Sequence, residues 1–363
     1  VLPSEGWLDS IEPYHPNLSF WTQLFLYTEP ADRLRDPAVA PTLPLLVVLL
    51  GPTASGKTSL SLQLAEQLHG EILSCDSVAV YRGLEIGSAK PTPAERARIA
   101  HHLIDIATPD HPYTAGDYGR DARAAVADIT ARGCTPIVSG GTGLYLRALL
   151  EGLFAGPRRS EPLRNRLRAT AARHQERPGE GHQVTSWLHR LLNRIDPASA
   201  ARIHPNDQPK LIRALEVSLA TRQPLSTALA DAAARDPLQG YRILRIGLQP
   251  DRAALYARIN QRAAAMFEHG LIEETRALLA QYQPKPAALD ALGYRQAALV
   301  LSGELSLEQA ITAAQHGHRN YAKRQLTWFR REPDVHWLAG FGHDSAIAAE
   351  ALSLVSHALT SSA

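Results

Sequence analysis

The apolar run "LPLLVVLL" (43–50) leads straight into "GPTASGKT" (51–58). An unbroken apolar run ending in a glycine turn predicts a buried strand, and the turn opens a helix expected over 57–69. Strand, glycine-rich turn and helix together make the P-loop pattern. Gly51 and Gly56 permit backbone angles closed to other residues, so the main chain can approach a ligand. Over Gly51, Pro52, Thr53, Ala54, Ser55, Gly56, Lys57 and Thr58 the pattern predicts a cradle for phosphate oxygens. Backbone N–H groups and the positive end of the helix dipole face the anion. Lys57 adds a point charge, and the Thr58 hydroxyl is placed for Mg²⁺.

The segments that follow alternate between strand and helix. "EILSCDS" (71–77) and "HHLIDI" (101–106) read as strands, "AGDYGRDARAAVADITARG" as a helix, and "CTPIVSGGTGLY" (134–145) as a strand running into a second glycine turn. This alternation predicts an α/β fold: a P-loop NTPase-like parallel sheet with flanking helices. Ligands on such sheets gather at the carboxyl ends of the strands, where Asp76, Gly140 to Thr142 and the P-loop should lie. From 155 to 232 the strand signal gives way to Arg, Ala, Leu and Gln, broken by "RPGEGHQ", which predicts a helical insertion domain. "YRILRIGLQP" (241–250) restores a strand, long helices fill 251–331, and "DVHWLAG" reads as a late edge strand before a closing helix. The expected organisation is a poorly ordered N-terminal extension (1–43), a first part of the core (44–154), the insertion (155–232) and a second part of the core (233–363).

Bulk properties narrow the function classes. No apolar run reaches the ~18 residues of a membrane span. With only two cysteines, Cys75 and Cys134, a disulfide framework and a cysteine zinc site are both unsupported, which favours a reducing cytoplasm. A net charge of +2 neither demands nor excludes nucleic acid, so the placement of basic residues decides. His101, His102, His316 and His318 lack neighbouring ligands for a metal cage, leaving Mg²⁺ carried with a phosphate as the expected metal.

Asp76 ends its strand beside the cradle, where a carboxylate can accept a proton, hold a metal or cap the next segment. Thr142 in "SGGTGLY" offers a hydroxyl on the same edge. In "HRNYAKRQLTWFRRE" (318–332), helical spacing puts Arg319, Lys323 and Arg330 on one stripe, with Tyr321 and Trp328 roughly opposite. That stripe is either a solvated face or a contact for RNA phosphates. Lys210 and Arg213 in "IHPNDQPKLIRALE" carry the same two readings.

Taken in order, "GPTASGKT", "DSVAVYRGLEIGSAKP", "HHLIDI", "YTAGDY", "GGTGLYLRALLEGL", "RIHPNDQPKLIRALEV", "GYRQ" and "AKRQLTWFR" resemble the bacterial tRNA dimethylallyltransferases, also called isopentenyltransferases, from about Leu45 to near Leu338. The resemblance implies transfer of a dimethylallyl group from its diphosphate to N6 of an adenosine beside the anticodon of certain tRNAs, giving isopentenyladenosine and diphosphate. It implies that the P-loop holds the prenyl diphosphate without ATP hydrolysis, that Asp76 is the general base, and that Thr142 and Arg252 assist the departing charge with Mg²⁺. By the same resemblance tRNA contacts fall on Asp76, Ser77, Val78 and Ala79, on Thr142 and Arg164, on Pro209, Lys210, Leu211, Ile212 and Arg213, and on Asp290, Ala291, Leu292, Gly293, Tyr294 and Arg295. Arg319 and Lys323 join them as basic-stripe candidates, and the chain is expected to act as a cytoplasmic monomer. Pro209 and Asp290 depart from the polar and basic residues of some relatives.

Three rivals share parts of this pattern. A small-molecule P-loop kinase would move a phosphoryl group from ATP under an arginine-bearing lid. An RNA-binding module would keep the loop as structure only. A prenyltransferase for free adenine nucleotides would not need the basic helix and the insertion.

Overall fold

The computed structural model describes residues 43–154, 156–175, 187–231 and 236–360. The expected extension (1–43), apart from Leu43, and the "RPGEGHQ" break lie outside these residues. Six parallel strands form one sheet in the order β3-β2-β4-β1-β5-β6. They are β1 (Leu45–Leu50), β2 (Gly70–Cys75), β3 (His101–His102), β4 (Thr135–Gly140), β5 (Arg242–Leu248) and β6 (Val335–Leu338). All six residues of β1 are buried. It lies between β4 and β5, and both faces of the sheet are covered, which explains its apolar composition.

On one face, α3 (Ala115–Ala131) and α4 (Gly143–Leu150) pack Tyr118, Val126, Ile129, Tyr145 and Leu149 against Leu46, Val48 and Leu73. On the other, α1 (Lys57–Gln67) and α14 (Ser345–Thr360) pack Leu60, Leu64, Ile347 and Val355 against Val47, Leu49 and Ile246. The short α2 (Pro93–Arg98) begins with a capping box between Thr92 and Glu95.

Two strand expectations change. "HHLIDI" pairs over only two residues, because Leu103 and Asp105 turn to φ 63° and 58°, which no strand accommodates. Asp105 is held there by Arg96 Nη1 at 2.6 Å and by Lys90. Asp76 follows β2, which is not adjacent to the P-loop strand, since β4 lies between them. The glycine turn after β4 therefore separates the two loops.

The insertion is helical: α5 (Glu161–Gln175), α6 (Trp187–Ile195), α7 (Pro197–Arg202), α8 (Gln208–Thr221) and α9 (Leu225–Asp231). Its core joins Leu167, Leu188, Leu192, Leu211 and Leu215. Beyond β5 come α10 (Arg252–Glu268), α11 (Leu271–Gln281), α12 (Tyr294–Leu301) and α13 (Leu307–Phe329). Among the described residues no helix is long and apolar enough to cross a membrane.

Candidate active site

The turn after β1 takes the backbone angles that its glycines allow. Gly56 sits at φ 92°, and a Cβ there would come within 2.7 Å of the Gly342 nitrogen, so no other residue fits. Gly56 is also the N-cap of α1 and supplies no side-chain cap, which leaves first-turn N–H groups available to an anion. Lys57 Nζ donates to the Gly51 and Pro52 carbonyls at 2.8 and 2.9 Å. Burial, followed by the nearby Arg262 charge, lowers its pKa to about 8, against an opposing pull from Asp76. The hydroxyl of Ser55 is buried without a partner.

A cavity of about 350 Å³ opens on this loop. It is lined by Thr53 to Ser59, by Asp76 and Ala79, by Ser139 to Gly141, and by Arg258, Arg262, Tyr321 and Gln325. The fold thus brings the P-loop and Asp76 to one cavity. Asp76 Oδ1 accepts from the Val78 and Ala79 N–H groups at 2.8 and 3.2 Å. These bonds fix the carboxylate and leave Oδ2 for other work. The Ser77 N–H donates to Thr142 Oγ1 at 3.1 Å, and the Thr142 hydroxyl donates to Ser77 Oγ at 3.3 Å. Thr142 thereby holds the Asp76 turn, and it is not among the lining residues.

Two cationic residues were not found in the sequence. Arg258 and Arg262 project into the cavity from α10, one turn apart. Arg262 is deeply buried, which lowers its pKa, and its Nη1 lies 3.4 Å from Thr53 Oγ1. Arg252, expected at this place, is exposed at the start of α10 with its guanidinium 5.2 Å from the Tyr256 ring centre. Arg258 lies six positions further on, about 240° around the helix, so Arg252 faces elsewhere.

Gln325 is a further contributor. Its Oε1 accepts from the Thr53 N–H at 2.7 Å, and its Nε2 donates to the Gly141 carbonyl at 3.0 Å. One buried amide on α13 thus ties the P-loop to the turn after β4. The Tyr321 hydroxyl donates to the same Gly141 carbonyl at 3.3 Å.

The expected RNA contacts divide by burial. Leu211, Ile212 and Tyr294 are fully buried, so their side chains cannot meet RNA. Leu211 and Ile212 build the insertion core, and the Tyr294 hydroxyl donates to Glu274 at 2.6 Å while accepting from the Gly87 N–H. Ala79 and Gly293 are likewise buried, while Ser77, Val78, Ala291 and Leu292 are partly exposed. Arg164 grips Glu216 with two 2.9 Å bonds, and Arg213 adds another at 2.7 Å. Burial opposes the Glu216 charge, but Arg164, the Ser160 N–H and Arg213 outweigh it and hold the carboxyl at about 2. Lys210 pairs with Asp207, and Asp290 with Lys285. Pro209 lies in the first turn of α8. Arg295, Lys323 and Arg330 are exposed, whereas Arg319 is partly buried and bonds Asn260 of α10. Lys323, Arg324 and Thr327 share one open face of α13, with Arg331 just beyond the end of the helix.

The Glu216 cluster makes a prediction for stability. Removing one member of a buried ion pair leaves the others unpaired, so Glu216→Ala should lose about 3–5 kcal/mol in unfolding experiments. Because the folded pKa is depressed, the cluster's contribution is complete above the ordinary glutamate value. It should fade as pH falls towards about 2.

Comparison with known proteins places this arrangement. A family model described as IPP transferase matches residues 79–332, and one described as isopentenyl transferase matches residues 44–108. The chain belongs to the IPP transferase family. It is 62% identical to a tRNA dimethylallyltransferase of Koribacter versatilis, over 86% of this chain and 98% of that one. A tRNA dimethylallyltransferase of Solibacter usitatus is 52% identical over 85% and 97% of the two chains. The crystal structure of a tRNA isopentenylpyrophosphate transferase from Bacillus halodurans superimposes with a TM-score of 0.62 at 36% identity, covering 87% of this chain and 96% of that one. The expected α/β fold and the resemblance drawn from the motifs are thereby borne out.

Proposed function

We propose that this chain transfers a dimethylallyl group from dimethylallyl diphosphate to N6 of the adenosine 3′-adjacent to the anticodon in certain tRNAs. The observation that carries this reading is the shared cavity, with an anion cradle on one side and a fixed carboxylate on the other. The named relatives, all acting on tRNA, support the substrate.

The chemistry follows from the residues. The diphosphate lies on the P-loop, with Lys57, Arg258 and Arg262 against its oxygens. The adenine N6 lone pair attacks the prenyl C1 as the C1–O bond breaks, and the bonding electrons leave with diphosphate. The N6 proton passes to Asp76 Oδ2. An amino group of this kind is a poor nucleophile, so a positioned base is typically worth ~10²–10⁴-fold. The three cations sit where negative charge grows and stabilise it. Gln325 and Thr142 hold the cradle and the base in register. A stacked anticodon-loop base cannot reach this depth, so it swings out of the loop.

Mg²⁺ fits the site. Thr58 lines the cavity and offers a hard oxygen donor, to which the diphosphate adds its own. When bound, the ion would neutralise part of the diphosphate charge. Incubating the protein with unmodified tRNA and dimethylallyl diphosphate, then analysing nucleosides by mass, tests the function. Isopentenyladenosine is the expected product, and its absence contradicts the reading.

In this reading the exposed basic face of α13 is a contact for tRNA phosphates. Lys323→Ala should weaken tRNA binding and lower the slope of log affinity against log salt by about 0.7–0.9. An unchanged slope would make Lys323 a solvated surface charge.

A further inference from the structure

The loop after β6, residues 340–344, lies beyond both matched family segments. It nevertheless touches the cradle twice. The Gly342 N–H donates to the Ser55 carbonyl at 2.9 Å. A Cβ on Gly342 would collide with the Gly56 oxygen, so the two backbones approach closely. The loop is closed on itself: the Phe341 N–H donates to Asp344 Oδ2 at 2.8 Å, and the Asp344 N–H donates to the Phe341 carbonyl at 3.0 Å.

The second contact is with Arg258. Its Nη1 lies 2.9 Å from Nδ1 and 3.1 Å from Nε2 of His343. Near-equal distances to both ring nitrogens put the guanidinium over the face of the imidazole. Its carbon stands 5.1 Å from the Phe341 ring centre, over an aromatic ring that itself packs against Leu255 and Ile259. Arg258 is thus held from two sides by one loop, while it lines the cavity.

We propose that the 340–344 loop positions Arg258 for the diphosphate, with His343 and Phe341 as the positioning residues and Gly342 anchoring the loop to the P-loop. This rests on the reading that the cradle holds a diphosphate. A free arginine side chain loses rotamer freedom when a ligand fixes it. A guanidinium already fixed beside the cradle loses less on binding, so anion affinity rises without a new contact to the ligand.

The test is a double-mutant cycle on the full chain, read by calorimetric binding of inorganic diphosphate and by KM for dimethylallyl diphosphate. His343→Ala should weaken both about five- to tenfold, with kcat changed less and tRNA affinity unmoved. His343→Phe keeps a flat ring under the guanidinium and should restore most of the loss. In an Arg258→Ala background, His343→Ala should add nothing. A full additional loss in that background overturns the proposal, as does a silent His343→Ala where Arg258→Ala is costly. If Arg258→Ala itself leaves diphosphate binding intact, the diphosphate reading of these arginines fails and the positioning role falls with it.

Discussion

Asp76→Asn should lower prenyl transfer to tRNA by about 10²–10⁴-fold while tRNA affinity stays close to that of the parent protein. Asparagine suits this test because of what Oδ1 does. That oxygen accepts from the Val78 and Ala79 N–H groups, and an amide oxygen can keep both bonds. The turn over 76–79 should therefore survive, and only the capacity to take the N6 proton is removed. Asp76→Ala loses the turn as well, so its defect should include a change in tRNA affinity. Single-turnover rates and tRNA binding measured on both variants separate the two effects. Near-normal turnover in Asp76→Asn would remove the general-base role.

Lys57→Met should raise KM for dimethylallyl diphosphate and lower turnover, together by about 10²–10³-fold in kcat/KM. Its ammonium is buried beside Arg262, which holds its pKa down to about 8. An anion favours the charged form, so the bound enzyme has the higher Lys57 pKa. Diphosphate affinity should then be complete below about 8 and decline as pH rises through it. Lys57→Met should lack that alkaline decline. If the decline persists unchanged in the variant, it belongs to another group, and Lys57 is no part of the grip.

What the sequence revealed was local. The buried β1, the P-loop and Asp76 are each written in a handful of consecutive residues, and their place at one sheet edge follows from the alternation of strand and helix. The long-range partners were not legible. Gln325 meets Thr53 across 272 positions, and nothing beside either residue signals the other. Arg258 and Arg262 look like ordinary helix residues until α10 packs along the cavity. Arg252 has the same chemistry but lies on a different face of α10 from Arg258. Arg164 and Arg213 read as free cations because Glu216 joins them only when α5 and α8 come together. The separation of β2 from β1 by β4 reflects the crossovers, which strand composition does not encode.

The most direct test concerns which bond the cradle serves. Purified protein, unmodified tRNA and dimethylallyl diphosphate are mixed without ATP, and released diphosphate and isopentenyladenosine are counted together. One diphosphate for each modified nucleoside, with none released when tRNA is omitted, is the predicted result. Transfer that requires ATP, or orthophosphate in place of diphosphate, would contradict a prenyl diphosphate held on the P-loop and drawn off by an amine facing Asp76.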